Sequence, residues 1–154
     1  QGHDAEWTLK EAVYSIERAI ACSKTEDHTI NAVIDFSGFS VYRHSPPVDI
    51  AKQFLTTLRS HYAGQIHGIY LLDSPSAFSI LWKIFRPFVG TTTRNKIHFL
   101  SDTRSKQQHL TDLYDLDQVP SWMIPGGTRN RSLDLEDYFF ERRFNEAFDE
   151  DNTR

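Results

Sequence analysis

One stretch decides the fold of this chain, and from Gly68 to Leu100 it reads GIYLLDSPSAFSILWKIFRPFVGTTTRNKIHFL. Ile69–Leu72 is a short continuous apolar run, which is typical of a strand buried on both faces. The pair Ser74-Pro75 then predicts a helix with serine as its N-cap and proline as its first residue, ending near Pro87. A second strand is predicted at Ile97–Leu100.

The predicted helix is unusually apolar. Its few polar side chains recur at three- and four-residue steps and share one narrow stripe: Ser76, Ser79, Lys83 and Arg86. A surface helix normally presents a broader polar face to water. The helix therefore needs an apolar partner on more than one side. The pattern leaves open a packed neighbour, another subunit, a membrane or a bound apolar molecule, and packing between sheet and helices is the plainest of these.

The same stretch carries a motif that runs from Asp73 to Phe99. It reads Asp-Ser-Pro-x-x-Phe-Ser-x-x-Trp-Lys-x-x-x-Pro-Phe and then Thr-x-x-Lys-Ile-x-Phe. This resembles the signature of the CRAL-TRIO lipid-binding family, which includes carriers of retinaldehyde, α-tocopherol and phospholipids. Asp73-Ser74-Pro75 replaces the Asn-Ala-Pro of the family motif. In that family the helix that follows is a movable gate over a lipid pocket, which would account for its apolar excess.

The resemblance implies a three-layer α/β domain: a mostly parallel mixed sheet, crossover helices and a mobile apolar gate helix at 75–89. The alternation of predicted strands and helices agrees with that architecture. Outside the decisive stretch, helices or strands are predicted at Thr8–Ala21, Thr29–Phe36, Ser45–Tyr62, Thr103–Leu113 and Leu133–Phe148. We expect one domain over 1–154, with a frayed tail at 149–154. The family's N-terminal strand and helical module are not recognisable upstream of Asp4.

Composition and motifs exclude several function classes. The net charge of −4 argues against a nucleic-acid binder. The single cysteine, Cys22, fits a reducing compartment, and no run is long enough to span a membrane, so we expect a cytoplasmic protein peripheral to membranes. There is no nucleophile elbow, dinucleotide fingerprint, phosphate loop or metal-binding motif, so neither enzyme activity nor a metal or cofactor is expected. An α/β enzyme using Asp73 or Asp35 is the least favoured alternative.

The resemblance and the patterns together name candidate site residues. The lipid pocket and gate are expected to comprise Phe78, Leu81, Trp82, Ile84, Phe85, Phe88, Ile34, Phe36, Ile69 and Leu71. Basic residues are concentrated between Lys83 and Lys106, where they outnumber a single acid, Asp102. A basic rim beside an apolar element suits an anionic bilayer. Contacts with a lipid headgroup or membrane are therefore expected from Lys83, Arg86, Arg94 and Lys96.

The phosphoinositide-binding members of the family use a Glu in a Tyr-Pro-Glu-Arg stretch before the second strand, together with a Lys at the end of the gate loop. Here Lys96 matches the Lys, while the segment from Tyr62 to His67 lacks the Glu and the Arg. The function implied is binding of a hydrophobic lipid, with exchange or presentation at membranes. The alternative is a regulatory interaction module with a filled pocket, for which a small GTPase is a candidate partner.

Overall fold

The computed structural model describes residues 2–23 and 26–129. The predicted helix Leu133–Phe148 and the tail 149–154 lie outside the described residues. The Cα packing divides the chain into two compact units, residues 1–99 and 100–154. In chain order the elements are α1 (Gly2–Ala21), β1 (Ile30–Asp35), α2 (Val41–His44), α3 (Val48–Thr57), a π-helical turn (Leu58–Tyr62), β2 (Ile66–Leu72), α4 (Phe78–Phe85), α5 (Thr91–Arg94), β3 (Ile97–Leu100) and α6 (Thr103–Thr111).

The three described strands form one sheet in the order β1-β2-β3. β1 and β2 are parallel, as expected for strands joined by a helical crossover, and the α/β fold class is confirmed. In β2 every residue except His67 is buried, which agrees with its unbroken apolar sequence. β1 lies at the edge, and none of its residues is fully buried.

α1 packs an apolar face onto the core of the first unit. Val13, Ile16 and Ile20 contact the cluster formed by Leu58, Tyr62, Ile66, Ile69 and Leu71. The helix begins at Gly2. It therefore begins before Thr8, the predicted first residue of the helix. The side chain of Glu11 accepts a hydrogen bond from Trp7 Nε1 at 2.9 Å, one turn away.

α4 is shorter than the predicted gate helix 75–89. It begins at Phe78 with Ala77 as N-cap, so the Ser74 cap prediction is wrong. The chain enters through a tight turn in which Phe78 N–H donates to the Pro75 carbonyl at 2.8 Å. At the other end, Pro87 has no N–H to continue the ladder, and α4 ends at Phe85.

The second unit holds α6 and a compact loop. Asp102 caps α6, since its carboxylate accepts from Ser105 N–H at 2.9 Å, and the Ser105 hydroxyl and N–H lower the pKa of that carboxyl. Leu110, Val119 and Ile124 are buried. The loop is closed by Gly127, where a Cβ would lie only 2.5 Å from the Val119 carbonyl oxygen.

A buried hydroxyl ties α1 to the π-helical turn. Tyr62 donates a short hydrogen bond to the Glu17 carboxylate. That bond, the burial of the ring and the negative charge of Glu17 together raise the pKa of Tyr62 to about 12. Since the charged form is disfavoured in the folded state, the contribution to stability is complete below pH 10 and is lost as the pH rises through about 12.

Replacing Tyr62 with Phe is expected to lower the free energy of unfolding by about 1–2 kcal/mol, because it removes a hydrogen bond to a charged acceptor. Urea unfolding at neutral pH measures the loss. Tyr42→Phe is the matched control, because the Tyr42 ring is 97% exposed. Its stability should change by less than about 0.5 kcal/mol. Equal losses in the two variants would contradict a stabilising role for the Tyr62–Glu17 bond.

Candidate functional site

The first unit contains an apolar cavity of about 160 Å³. The cavity is lined by residues of the sheet, of α3 with the π-helical turn, of α4 and of the segment around α5. These residues are Ile34, Phe36, Phe54, Leu55, Leu58, Arg59, Ile69, Leu71, Phe78, Trp82, Val89, Gly90, Thr93 and Ile97. Only Arg59 and Thr93 among them carry polar side chains. The cavity therefore suits an apolar guest with at most a small polar part.

Six of the predicted pocket residues line this cavity: Ile34, Phe36, Ile69, Leu71, Phe78 and Trp82. The two from α4 are four residues apart, so they share the helix face that is turned to the sheet. The other predicted gate residues, Leu81, Ile84, Phe85 and Phe88, are not among the lining residues. The ammonium of Lys52 lies 4.9 Å from the centre of the Phe88 ring, and Ile84 is 44% exposed.

Aromatic contacts hold α4 over the strands. The Phe78 ring lies 4.8 Å from Phe36, which follows β1. On the other side, the Trp82 ring meets Phe99 of β3 edge-to-face, with 5.6 Å between centroids. These rings are large and stiff, and they span the space between helix and sheet without filling it. The apolar residues of α4 thus form the roof of the cavity.

Sequence reasoning missed the opposite wall. Phe54, Leu55 and Leu58 belong to the predicted helix Ser45–Tyr62, but no feature of the sequence indicated that they line the site. The sequence did not indicate a role in the site for Arg59 or Gly90 either. The Arg59 side chain crosses Gly90, where a Cβ would lie 3.3 Å from Arg59 Cγ. A contact of this kind depends on tertiary packing between the π-helical turn and the gate loop, which no local pattern encodes.

Thr93 brings an unsatisfied polar group into the cavity wall. Its side chain is 5% exposed, and its hydroxyl oxygen has no hydrogen-bond partner within the described residues. A buried hydroxyl without a partner destabilises a folded protein by about 1–3 kcal/mol.

Three of the four predicted headgroup residues meet in one cleft. Lys83, Arg86 and Arg94, together with Pro87, line an open cleft of about 320 Å³. Arg94 Nη2 donates to the Val89 carbonyl at 3.2 Å, while its Nε is buried without a partner among the described residues. On the neighbouring surface of α4, Ile80 is 64% exposed. The cleft thus combines positive charge with an exposed apolar helix.

Lys96, the fourth predicted residue, does not line the cleft. Its Nζ donates hydrogen bonds to the backbone carbonyls of Ala63, at 3.2 Å, and of Ile66. Ala63 lies in the segment before β2 where the family's Glu is missing, and Ile66 is the first residue of β2. The ammonium is half-buried and serves to close that turn.

The enzyme alternative named two residues, Asp35 and Asp73. The backbone around each of them accounts for its position. Asp35 Oδ1 accepts from Ser37 N–H at 2.8 Å, so the carboxylate ties down its own turn. Asp73 has a φ of +50°, a left-handed conformation that allows the sharp exit from β2.

Among the described residues, no three His, Cys, Asp or Glu side chains come together as a metal-binding group. In the same part of the chain, no helix is long and apolar enough to cross a membrane.

These features define an α/β domain with an apolar cavity roofed by a short aromatic helix. The chain belongs to the CRAL/TRIO domain family, whose pattern it matches over residues 3–123. It is 25% identical over 125 residues to the SEC14 cytosolic factor of Kluyveromyces lactis, covering 76% of this chain and 39% of that protein. The phosphatidylinositol transfer protein SFH5 of Saccharomyces cerevisiae is 24% identical over 91 residues, which are 58% of this chain and 31% of that one.

Among solved structures, the crystal structure of Sfh5 is similar with a TM-score of 0.47 and 25% identity, over 53% of this chain and 29% of that one. The chain therefore spans well under half the length of the curated relatives it matches.

Replacing Thr93 with Val is expected to raise the free energy of unfolding by about 1 kcal/mol, because valine keeps the shape and removes the unsatisfied hydroxyl. Urea unfolding of the protein without added lipid measures the change. Thr92→Val, on the exposed neighbouring residue of the same helix, is the control and should stay within about 0.5 kcal/mol of the parent. A loss of stability confined to Thr93→Val would mean that the hydroxyl is already bonded.

Proposed function

We propose that this chain binds a hydrophobic lipid in the cavity beneath α4 and exchanges it at membranes. The observation that carries the proposal is the apolar cavity, roofed by Phe78 and Trp82 and floored by the sheet. Burying an acyl chain contributes roughly 0.8 kcal/mol per methylene. The interior of a bilayer offers the chain nearly the same environment, so transfer between the two is close to balanced. A reversible carrier needs this balance, and it needs no catalytic group.

The size of the cavity requires α4 to move. A void of about 160 Å³ is close to the roughly 150 Å³ of an engineered cavity that binds benzene. Sites for drug-sized ligands occupy about 300–1,000 Å³. A full acyl chain therefore fits only if the roof lifts. α4 is suited to this, because none of its residues is buried and no side chain caps its start. We propose that α4 is the gate.

The outer surface of α4 is suited to an anionic bilayer. Ile80 and Ile84 are exposed on neighbouring turns, and Lys83 and Arg86 lie beside them. Apolar side chains would enter the boundary between headgroups and acyl chains, while the basic ones would meet phosphates. We propose a cytoplasmic protein that is peripheral to membranes. The names of two relatives, a cytosolic factor and a phosphatidylinositol transfer protein, are in keeping with that role.

The second candidate is a regulatory module that contacts a protein, such as a small GTPase, and transfers no lipid. The observation that favours it is again the size of the cavity, since a pocket already filled by side chains would leave only a small void. Native mass spectrometry of freshly purified protein separates the two candidates. A co-purifying lipid is expected from the carrier, and its absence under all conditions favours the module.

Filling the cavity from its exposed wall tests the site itself. Ile34→Trp places a large side chain at a lining position that is already 45% exposed, so the fold should tolerate it. We expect the retained lipid, and the uptake of a fluorescent phospholipid, to fall at least about tenfold, because the indole occupies the space of the acyl chain. Val48→Trp, at a similarly exposed position that does not line the cavity, should bind as the parent does. Equal uptake by both variants would rule out this cavity as the lipid site.

Removing the two basic residues of the α4 surface tests membrane docking. Lys83→Gln combined with Arg86→Gln should weaken co-sedimentation with phosphatidylserine-containing vesicles by about tenfold or more, since each basic residue contributes about 1 kcal/mol near an anionic surface. The effect should shrink as salt is added. Arg43→Gln combined with Arg104→Gln removes the same charge from residues that do not line the cleft. If this control loses as much binding, net charge rather than the cleft is responsible.

A further inference from the structure

The outer face of α4 is an exposed surface without a partner in the described chain. Ile80 and Ile84 are one helical turn apart, and both are exposed to water. Lys83 and Arg86 are exposed beside them and line the basic cleft. Within residues 2–23 and 26–129, neither of these cations forms an ion pair. The outer face of α4 therefore offers a partner both apolar side chains and unpaired positive charge.

A surface of the opposite charge follows α6, and we call residues 112–122 the acidic loop. Its aspartates are all exposed: Asp112, Asp115 and Asp117. None of the three is paired with a cation in the part of the chain that the structure describes. Leu113 and Leu116 lie between them in sequence and are exposed, and Trp122 is 63% exposed at the end of the loop. The acidic loop therefore resembles the outer face of α4 with the sign of the charge reversed.

Backbone hydrogen bonds hold the acidic loop in place. Tyr114 N–H donates to the Leu110 carbonyl at 2.9 Å. Further along, the Leu116 carbonyl accepts from Thr128 N–H at 2.9 Å. Leu110 is buried, as is Val119 within the loop, so the loop has its own apolar anchors while its leucines stay at the surface. An exposed apolar surface that is rimmed by charge is typical of a site that contacts another protein.

We propose that the outer face of α4 in one copy of this chain binds the acidic loop of a second copy. The basic side chains of the face pair with the aspartates of the loop, and its isoleucines pack on the leucines of the loop. Two acidic loops repel each other, and so do two α4 faces. The copies therefore join head to tail, each using a different surface from its neighbour. This contact does not depend on the lipid-binding function.

A second copy suits these surfaces better than other occupants do. An anionic bilayer matches the α4 face but repels the acidic loop, whereas the head-to-tail contact pairs both surfaces. Few apolar side chains take part, so the contact should be weak, with a dissociation constant on the order of 100 µM at low salt. A copy whose α4 face is covered in this way cannot present the same face to a membrane.

The test is sedimentation equilibrium of the whole chain from about 10 µM to about 500 µM. At about 50 mM salt the average mass should rise with concentration, and at about 500 mM salt it should fall back toward that of one copy, because the charges are screened. Lys83→Glu combined with Arg86→Glu should weaken association at least about tenfold, and so should Asp115→Lys combined with Asp117→Lys. An equimolar mixture of these two variants should associate again, because a reversed face then meets a reversed loop.

The matched control is Arg43→Glu combined with Arg104→Glu, which changes the net charge as much as the α4 variant does. Both arginines are exposed and lie outside the two surfaces, so this control should associate as the parent does. A parent that stays monomeric at low salt overturns the proposal. So does association that survives either reversal, a mixture of folded variants that stays monomeric, or an equal loss in the control. Each of these outcomes leaves the lipid-binding proposal standing, since that proposal requires only one copy.

Discussion

The packing of two α4 rings against aromatic side chains of the sheet is the interaction on which the candidate site depends. Phe78 contacts Phe36, and Trp82 contacts Phe99, so the helix is held above β1 and β3 by four large rings. Smaller side chains would let the helix settle onto Ile69 and Leu71 and close the space. Protein interiors are otherwise packed to high density. A void of 160 Å³ persists here because its walls meet through rigid rings at the edges.

The apolar composition of α4 could be predicted from the sequence. Which of its side chains face the cavity could be predicted only in part. Its apolar excess and the family motif predicted a roof over a cavity, and the strand residues Ile34, Ile69 and Leu71 were identified because a buried strand alternates its faces. The motif did not reveal that the helix starts at Phe78. Only the structure therefore shows which face of α4 meets the cavity. Phe78 and Trp82 line the cavity, whereas Leu81 and Phe85 do not.

The contacts of the polar residues were harder to predict than those of the apolar ones, because a cation can bind to several kinds of acceptor. Lys96 matches the family's Lys by position, yet here its ammonium is held by the carbonyls of Ala63 and Ile66. With no Glu in that turn, backbone oxygens are the acceptors available to it. Arg59 had no counterpart in the motif. It lines the cavity beside Gly90 through a tertiary contact between segments that are distant in sequence.

The free state of this unit carries three unfavourable features that a ligand would relieve together. The cavity lacks the dispersion contacts of a filled core, the Thr93 hydroxyl has no partner among the described residues, and Ile80 and Ile84 are exposed to water. An apolar chain in the cavity would remove the first, and a polar atom that reached Thr93 would remove the second. Contact of α4 with a bilayer would remove the third, at the moment when the roof must lift. Under the proposed function, ligand exchange and membrane contact would be coupled through one short helix, because both act on the few contacts that hold α4 in place.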